Sequence, residues 1–146
     1  MKKIFMIIAA MMLAVVPMLA DEDRMIDRED LPKKAQVFLN EYFANAEVVY
    51  VKADREMGVV TSYDVVLEGD VKVEFSRGGE WTSVDCGLDR VPDGVLPQGV
   101  VKYVSSKFAN AHVVEIERNK LGYDVKLSND IDLDFGINGN FLRIDD

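Results

Sequence analysis

The sequence predicts an α+β fold: a tandem repeat of two αβ4 units, forming an antiparallel sheet of about eight strands with the helices on one face. Three observations carry this. First, the chain aligns with itself: residues 31–54 match 96–119 at an offset of 65, and residues 63–86 match 123–146 at an offset of 60. Of those 48 pairs 16 are identical, including Leu31-Pro32 with Leu96-Pro97, Phe43-Ala44-Asn45-Ala46 with Phe108-Ala109-Asn110-Ala111, and Tyr63-Asp64-Val65 with Tyr123-Asp124-Val125. Second, in each copy a helical apolar spacing gives way to strict two-residue alternation. Third, the alternating runs are apolar on one side only, as in a sheet covered on one face.

The domain organisation follows from these patterns. Residues 1–20 read as a signal peptide: Lys2 and Lys3 precede an apolar run of 13 residues from Ile4 to Val16, Pro17 breaks it, and Ala20 suits a cleavage site. The run is shorter than the ~20 residues a membrane span needs. A secreted or periplasmic product is expected, with no membrane insertion after cleavage. Residues 21–30 are an N-terminal tail, 31–86 the first unit, 87–95 a linker and 96–146 the second unit.

Within a unit, Leu-Pro opens a helix, because proline at the first turn gives up an N–H that has no partner there. Ala35, Phe38, Leu39, Tyr42 and Phe43 form one apolar stripe, and Val100, Tyr103, Val104 and Phe108 form its counterpart. Each helix is expected to end at Ala-Asn-Ala, with Asn in the left-handed conformation common at helix ends. The β-rich runs Val48 to Ala53 and Val113 to Ile116 come next. Then Tyr63, Val65 and Leu67, and Tyr123, Val125 and Leu127, alternate as strands. Gly69-Asp70 and Asn129-Asp130 are turn dipeptides. Val71, Val73 and Phe75, matched by Ile131, Leu133 and Phe135, alternate in the next strand. Gly78-Gly79 and Asn138-Gly139 turn into a last strand, Trp81 to Val84 or Phe141 to Ile144.

Charge and chemistry narrow the function. Cleavage would leave all 26 acidic residues but 15 of the 17 Lys and Arg, a net charge of −11. That repels phosphate backbones and anionic lipid, so no nucleic-acid partner is expected. It leaves cationic proteins or divalent cations as electrostatic partners. With a single cysteine, Cys86, the fold has no internal disulfide. His112 is the one histidine and lies in the other unit, so no nucleophile–base pair is indicated and no catalytic residue is assigned.

The ordered set of Leu-Pro, helix, Phe-Ala-Asn-Ala, β-run, Tyr-Asp-Val, a strand ending in Phe75 or Phe135, Gly-x-Trp/Phe and Val/Ile-Asp occurs twice. It resembles the PepSY-like family of β-lactamase-inhibitor-like secreted bacterial proteins. Phe141 stands where that family favours Trp, and the first unit has five extra residues around Arg55 to Val59. The resemblance implies two αβ4 units with a broad, concave sheet surface and a binding role; the lack of a catalytic constellation adds the expectation that the chain is not an enzyme.

The open sheet face is therefore the candidate site, and an unidentified protein or peptide its expected partner, with no cofactor. By alternation it carries Asp64, Val66, Glu68, Lys72 and Glu74, then Asp124, Lys126, Asp132 and Asp134. Trp81 and Phe141 join this set if they face outward, as aromatic anchors, and belong to the core if they face inward. Trp81 and Val84 cannot share a face without a bulge, so the pattern leaves both orientations open. The alternative site is a divalent-cation or small-ligand position at Asp130, Asp132 and Asp134. Its Asp-x-Asp-x-Asp spacing opens a calcium loop, but Phe135 stands where that loop needs glycine and Phe141 where it needs glutamate. Positions at which the copies differ, such as Lys72 against Asp132, Glu47 against His112 and Trp81 against Phe141, are where specificity is expected.

Overall fold

The structure is a computed structural model that describes residues 23–145. The signal-peptide assignment at 1–20 lies outside them. Strand β1 (Arg24–Ile26) is followed by helix α1 (Lys33–Tyr42) and strands β2 (Val48–Glu56), β3 (Val59–Leu67), β4 (Val71–Ser76) and β5 (Trp81–Asp85). Helix α2 (Gln98–Lys107) then precedes β6 (Val113–Asn119), β7 (Gly122–Leu127), β8 (Asp132–Gly136) and β9 (Phe141–Asp145). All nine strands form one antiparallel sheet, and their order across it is their order along the chain.

Nine strands replace the expected eight. The additional strand is β1, inside the segment read as a tail, where Arg24, Met25 and Ile26 pair with Ala53, Lys52 and Val51. The sheet does not break at the middle of the chain, because β5 pairs with β6 through Ser83–Glu117, Val84–Ile116 and Asp85–Glu115. The linker is packed: Val91 and Val95 are buried, Val91 N–H donates to Val113 O, and Tyr42 Oη donates to Gly94 O. No helix among the described residues is long and apolar enough to cross a membrane.

Both helices lie against one face, and the core sits between. Ala35, Phe38 and Leu39 of α1 and Val100 and Val104 of α2 are buried against Val65, Leu67, Val73, Phe75, Val84, Ile116, Val125, Leu127, Leu133 and Phe135. Cys86 is buried in the same core, and burial, then the charges of Asp85 and Asp89, push its thiol up to about 11. Phe-Ala-Asn-Ala ends each helix differently from expectation. Neither Asn takes a positive φ. Instead Phe43 N–H donates to Leu39 O, Ala46 N–H closes a turn onto Phe43 O, and Phe108 and Ala111 repeat the arrangement. The phenylalanines pack on the core, so the repeated motif is a helix stop.

The repeated Pro and Gly meet in space. The β4–β5 turn holds Gly79 at φ +91° against the start of α1, where an added Cβ would lie 2.7 Å from Pro32 Cβ. The β8–β9 turn sets Gly139 on the start of α2 in the same way, and there the approach is closer still: a Cβ on Gly99 would lie on the Gly139 carbonyl oxygen. A side chain at these points would push the hairpin tip off the helix, so the turn chemistry also fixes how the helix sits.

Candidate functional site

The face away from the helices is uncovered, and the strand register sets its side chains in rows. One row runs Lys52, Asp64, Glu74, Ser83, Glu117, Asp124, Asp134, Arg143 from β2 to β9. The next runs Tyr50, Val66, Lys72, Asp85, Glu115, Lys126, Asp132, Asp145. With Asp54, two residues along from Lys52 and paired with Ser62, these two rows hold ten carboxylates against four cations: Lys52, Lys72, Lys126 and Arg143. Neighbouring strands are ~4.8 Å apart, so adjacent carboxylates in a row repel at short range.

Each end of the first row is closed by a cation. Lys52 Nζ lies 3.4 Å from both Asp54 Oδ1 and Asp64 Oδ2 and 3.5 Å from Asp23 Oδ2. This holds the Lys52 ammonium firmly charged, chiefly through the hydrogen bond to Asp54. Burial pushes the Asp54 carboxyl up, but hydrogen bonds from Ser62, Asp64 and Lys52 together outweigh it and keep it low. Asp64, beside it, is raised by burial and by the Asp54 charge. At the other end Arg143 Nη2 meets Asp134 Oδ2 at 2.8 Å, and Asp134 is only 7% exposed.

Between these ends the carboxylates carry the strain of like charge. Glu74 is raised by burial and then by Asp64, Asp54 and Glu117. Glu115 is raised by burial and by Asp85 and Glu117, with Lys126 pulling the other way. Asp124 is pushed up to about 6, by burial first and then by the hydrogen bond and charge of Asp134. Glu115, Glu117, Asp124, Lys126, Asp132, Asp134 and Asp145 line a shallow depression of about 310 Å³.

The structure gathers most of the expected residues and releases some. Asp64, Val66, Lys72 and Glu74, with Asp124, Lys126, Asp132 and Asp134, share the open face. Glu68 lies past the end of β3, where its N–H donates to Glu47 O. Asp134 is no solvated ladder rung: it is buried under Arg143. Asp130 sits in the turn before β8 at φ +66°, and among the described residues no group of carboxylates is pre-arranged around a metal position. His112 lies apart from the face, its Nε2 3.0 Å from Leu88 O.

Trp81 and Phe141 turn inward, which removes them from the binding set. Register shifts at Thr82 and Leu142 put Trp81 opposite Phe75 and Phe141 opposite Phe135, on the helix side. These are the bulges that the spacing of Trp81 and Val84 requires. Phe141 stacks on Tyr103 at 4.1 Å. Trp81 packs across the middle of the sheet on Tyr123, while the Arg118 guanidinium lies 4.2 Å over its ring and donates to its carbonyl.

Much of the face was missed from the sequence: Lys52 and Asp54 on β2, Ser83 and Asp85 on β5, Glu115 and Glu117 on β6, and Asp145 on β9; Arg143 was expected across from the acidic strand and lies there. On β2 and β6 the signal was present, since Lys52 and Asp54 alternate with buried Val51 and Ala53, and Glu115 and Glu117 flank buried Ile116. Extra residues at Val49 and Val114 shift the phase just upstream and hide the alternation.

A family model described as "Putative beta-lactamase-inhibitor-like, PepSY-like" matches residues 61–143. The chain belongs to the PepSY-like family. Among solved structures, a "putative calcium-regulated periplasmic protein" from Bacteroides thetaiotaomicron is 36% identical at a TM-score of 0.81, over 87% of this chain and 99% of that one. A periplasmic protein from Bacteroides vulgatus is 34% identical at 0.80, over 86% and 100%. A second from the same organism is 36% identical at 0.80, over 87% and 99%. All three are described as periplasmic, and this PepSY-like chain is placed in that compartment. No curated protein matches it. The family is inhibitor-like by its description, and no enzymatic family is indicated.

Proposed function

We propose that this chain is a non-enzymatic periplasmic binding module that grips a cationic segment of a protein or peptide across its open sheet face, in its narrower form as the inhibitor of a hydrolase. The observation that carries the reading is the face itself, with ten carboxylates against four cations in those two rows, several held above their usual values by burial and by one another. A partner that brings Lys or Arg side chains relieves that repulsion on docking, and the gain is specific to this face. The reading treats 31–86 and 96–146 as two copies of one unit, with specificity at differing positions such as Lys72 and Asp132.

Titration calorimetry with a Lys/Arg-rich peptide, beside an acidic peptide of equal length, tests it. Saturable binding of the basic peptide is expected, weakening with salt and falling at least tenfold when Asp124 and Asp132 are both changed to Lys. Binding that ignores these changes, or no saturable binding, refutes it. The inhibitor form fails if micromolar protein leaves periplasmic hydrolases, β-lactamases included, at full rate.

A second reading has one specific support. Asp124 and Asp134 face each other across β7 and β8, with the Asp124 carboxyl pushed up to about 6 by burial and then by its neighbour, and the relative from B. thetaiotaomicron is described as calcium-regulated. Calcium would then have to draw these carboxylates together, since none are pre-arranged for it among the described residues, and would raise the melting temperature once its concentration exceeds its Kd. Absence of both heat and thermal shift at millimolar calcium removes this reading and leaves the first standing.

A further inference from the structure

We propose that the outer edge of β9 pairs with the same edge of a second copy of this chain, joining two nine-stranded sheets across a two-fold axis at Ile144. Among the described residues nothing pairs with that edge. It presents apolar surface, with Leu142 56% and Ile144 49% exposed. Exposed edges of this kind are templates for another strand.

The hydrogen-bond phase fixes the register. Leu127 N–H donates to Ile131 O, and residues 127 and 131 continue the β7–β8 pairing of Val125 with Leu133. Alternation along an antiparallel ladder then turns the backbone of Leu133 toward β7 and that of Asp132 and Asp134 toward β9. Asp132 and Asp134 oppose Asp145 and Arg143, so the N–H and C=O of Ile144 point outward, away from β8. A second β9 arriving antiparallel meets it with its own Ile144, each N–H donating to the other's carbonyl.

That register is also complementary in charge. Arg143 and Asp145 share the open face, and with Ile144 opposite Ile144 each Arg143 stands across from the other copy's Asp145, twice by symmetry. In a hydrogen-bonded ladder these flanking pairs are the close ones, where side chains interact best. Sliding the register by one two-residue step toward Leu142 would set Arg143 against Arg143 and repel. The interface is isologous and closes on itself. It also adds a residue to the candidate site, since Asp145 lines the acidic depression and the second copy would bring its Arg143 to that rim. The opposite edge, β1, has only three residues to offer. The inference rests on backbone phase and edge chemistry, and stands whether or not the face binds a cationic partner.

Sedimentation equilibrium of the exported protein over a concentration series tests it. A reversible dimer is expected. Asp145→Arg, at an exposed position, places two arginines opposite two others and should weaken association roughly tenfold or more. Ile144→Pro removes an outward N–H that the fold does not use and should leave a folded monomer by circular dichroism. Mixing Asp145→Arg with Arg143→Asp restores both cross-strand pairs and should bring a mixed dimer back. A monomer at every concentration, a dimer indifferent to Asp145→Arg, or open-ended oligomers in place of a dimer overturns the proposal.

Discussion

At Asp124 one carboxyl reports the electrostatics of the whole face. Its folded value of about 6 lies above the ordinary 3.8, so the native state holds a proton that the unfolded chain has released. The sign follows: this group's contribution to stability is fullest below the unfolded value and is lost as pH rises from about 4 through about 6. Asp124→Asn should flatten that fall and leave the protein more stable at pH 7, by about 1 kcal/mol or less once solvent screening is counted. Urea unfolding at a series of pH values measures it, and an unchanged slope between pH 4 and 6 would show that Asp124 is not the group responsible. Trp81 and Phe141 make a second residue-scale point. They differ because their surroundings differ: Trp81 spans the middle of the sheet to reach Arg118 and Tyr123, whereas Phe141 needs only to stack on Tyr103 near the edge.

Among the elements, the hairpin tips seated on the helix starts can be tested directly. Gly79→Ala forces a Cβ into Pro32 at a positive φ, whereas Gly69→Ala, at φ +86°, meets nothing within 4 Å. The second change should cost about 1 kcal/mol of backbone strain alone. The first should add a packing penalty of about 1–3 kcal/mol. Unfolding followed by Trp81 fluorescence compares them, and equal losses would deny the contact its role. The elements also mark what was legible in the sequence. The helices were legible because Ala35, Phe38 and Leu39 keep one stripe, β4, β7 and β8 because apolar and polar residues alternate, and β3 because Tyr63, Val65 and Leu67 keep one face despite Val66. Strand β1 was not, since three residues of Arg-Met-Ile carry no period of their own and are ordered by β2, far along the chain. The side to which Trp81 and Phe141 point was hidden by bulges, which change phase without changing composition. About half of the acidic face stayed hidden for a related reason, because cross-strand rows depend on register, and register is a property of pairs of strands.

Taken whole, the molecule separates its surfaces by charge. Carboxylates in adjacent rows lie within the ~10 Å screening length of 0.1 M salt, so their repulsion is felt in dilute buffer and fades as salt is added. Melting temperature should therefore rise between roughly 0.01 and 0.15 M sodium chloride. A fall would show that the ion pairs at Lys52 and Arg143 outweigh the crowding. The sheet that carries these rows has a plain order, with each strand lying beside the one made just before it. A chain that crosses a membrane stretched out, amino end first, can then lay down each strand against a neighbour that has already arrived. Every pairing joins strands consecutive in the chain, most across a tight turn, and only β1–β2 and β5–β6 close over a helix-bearing link, which favours rapid folding over aggregation. The meander thus suits a chain that folds from its amino end forward.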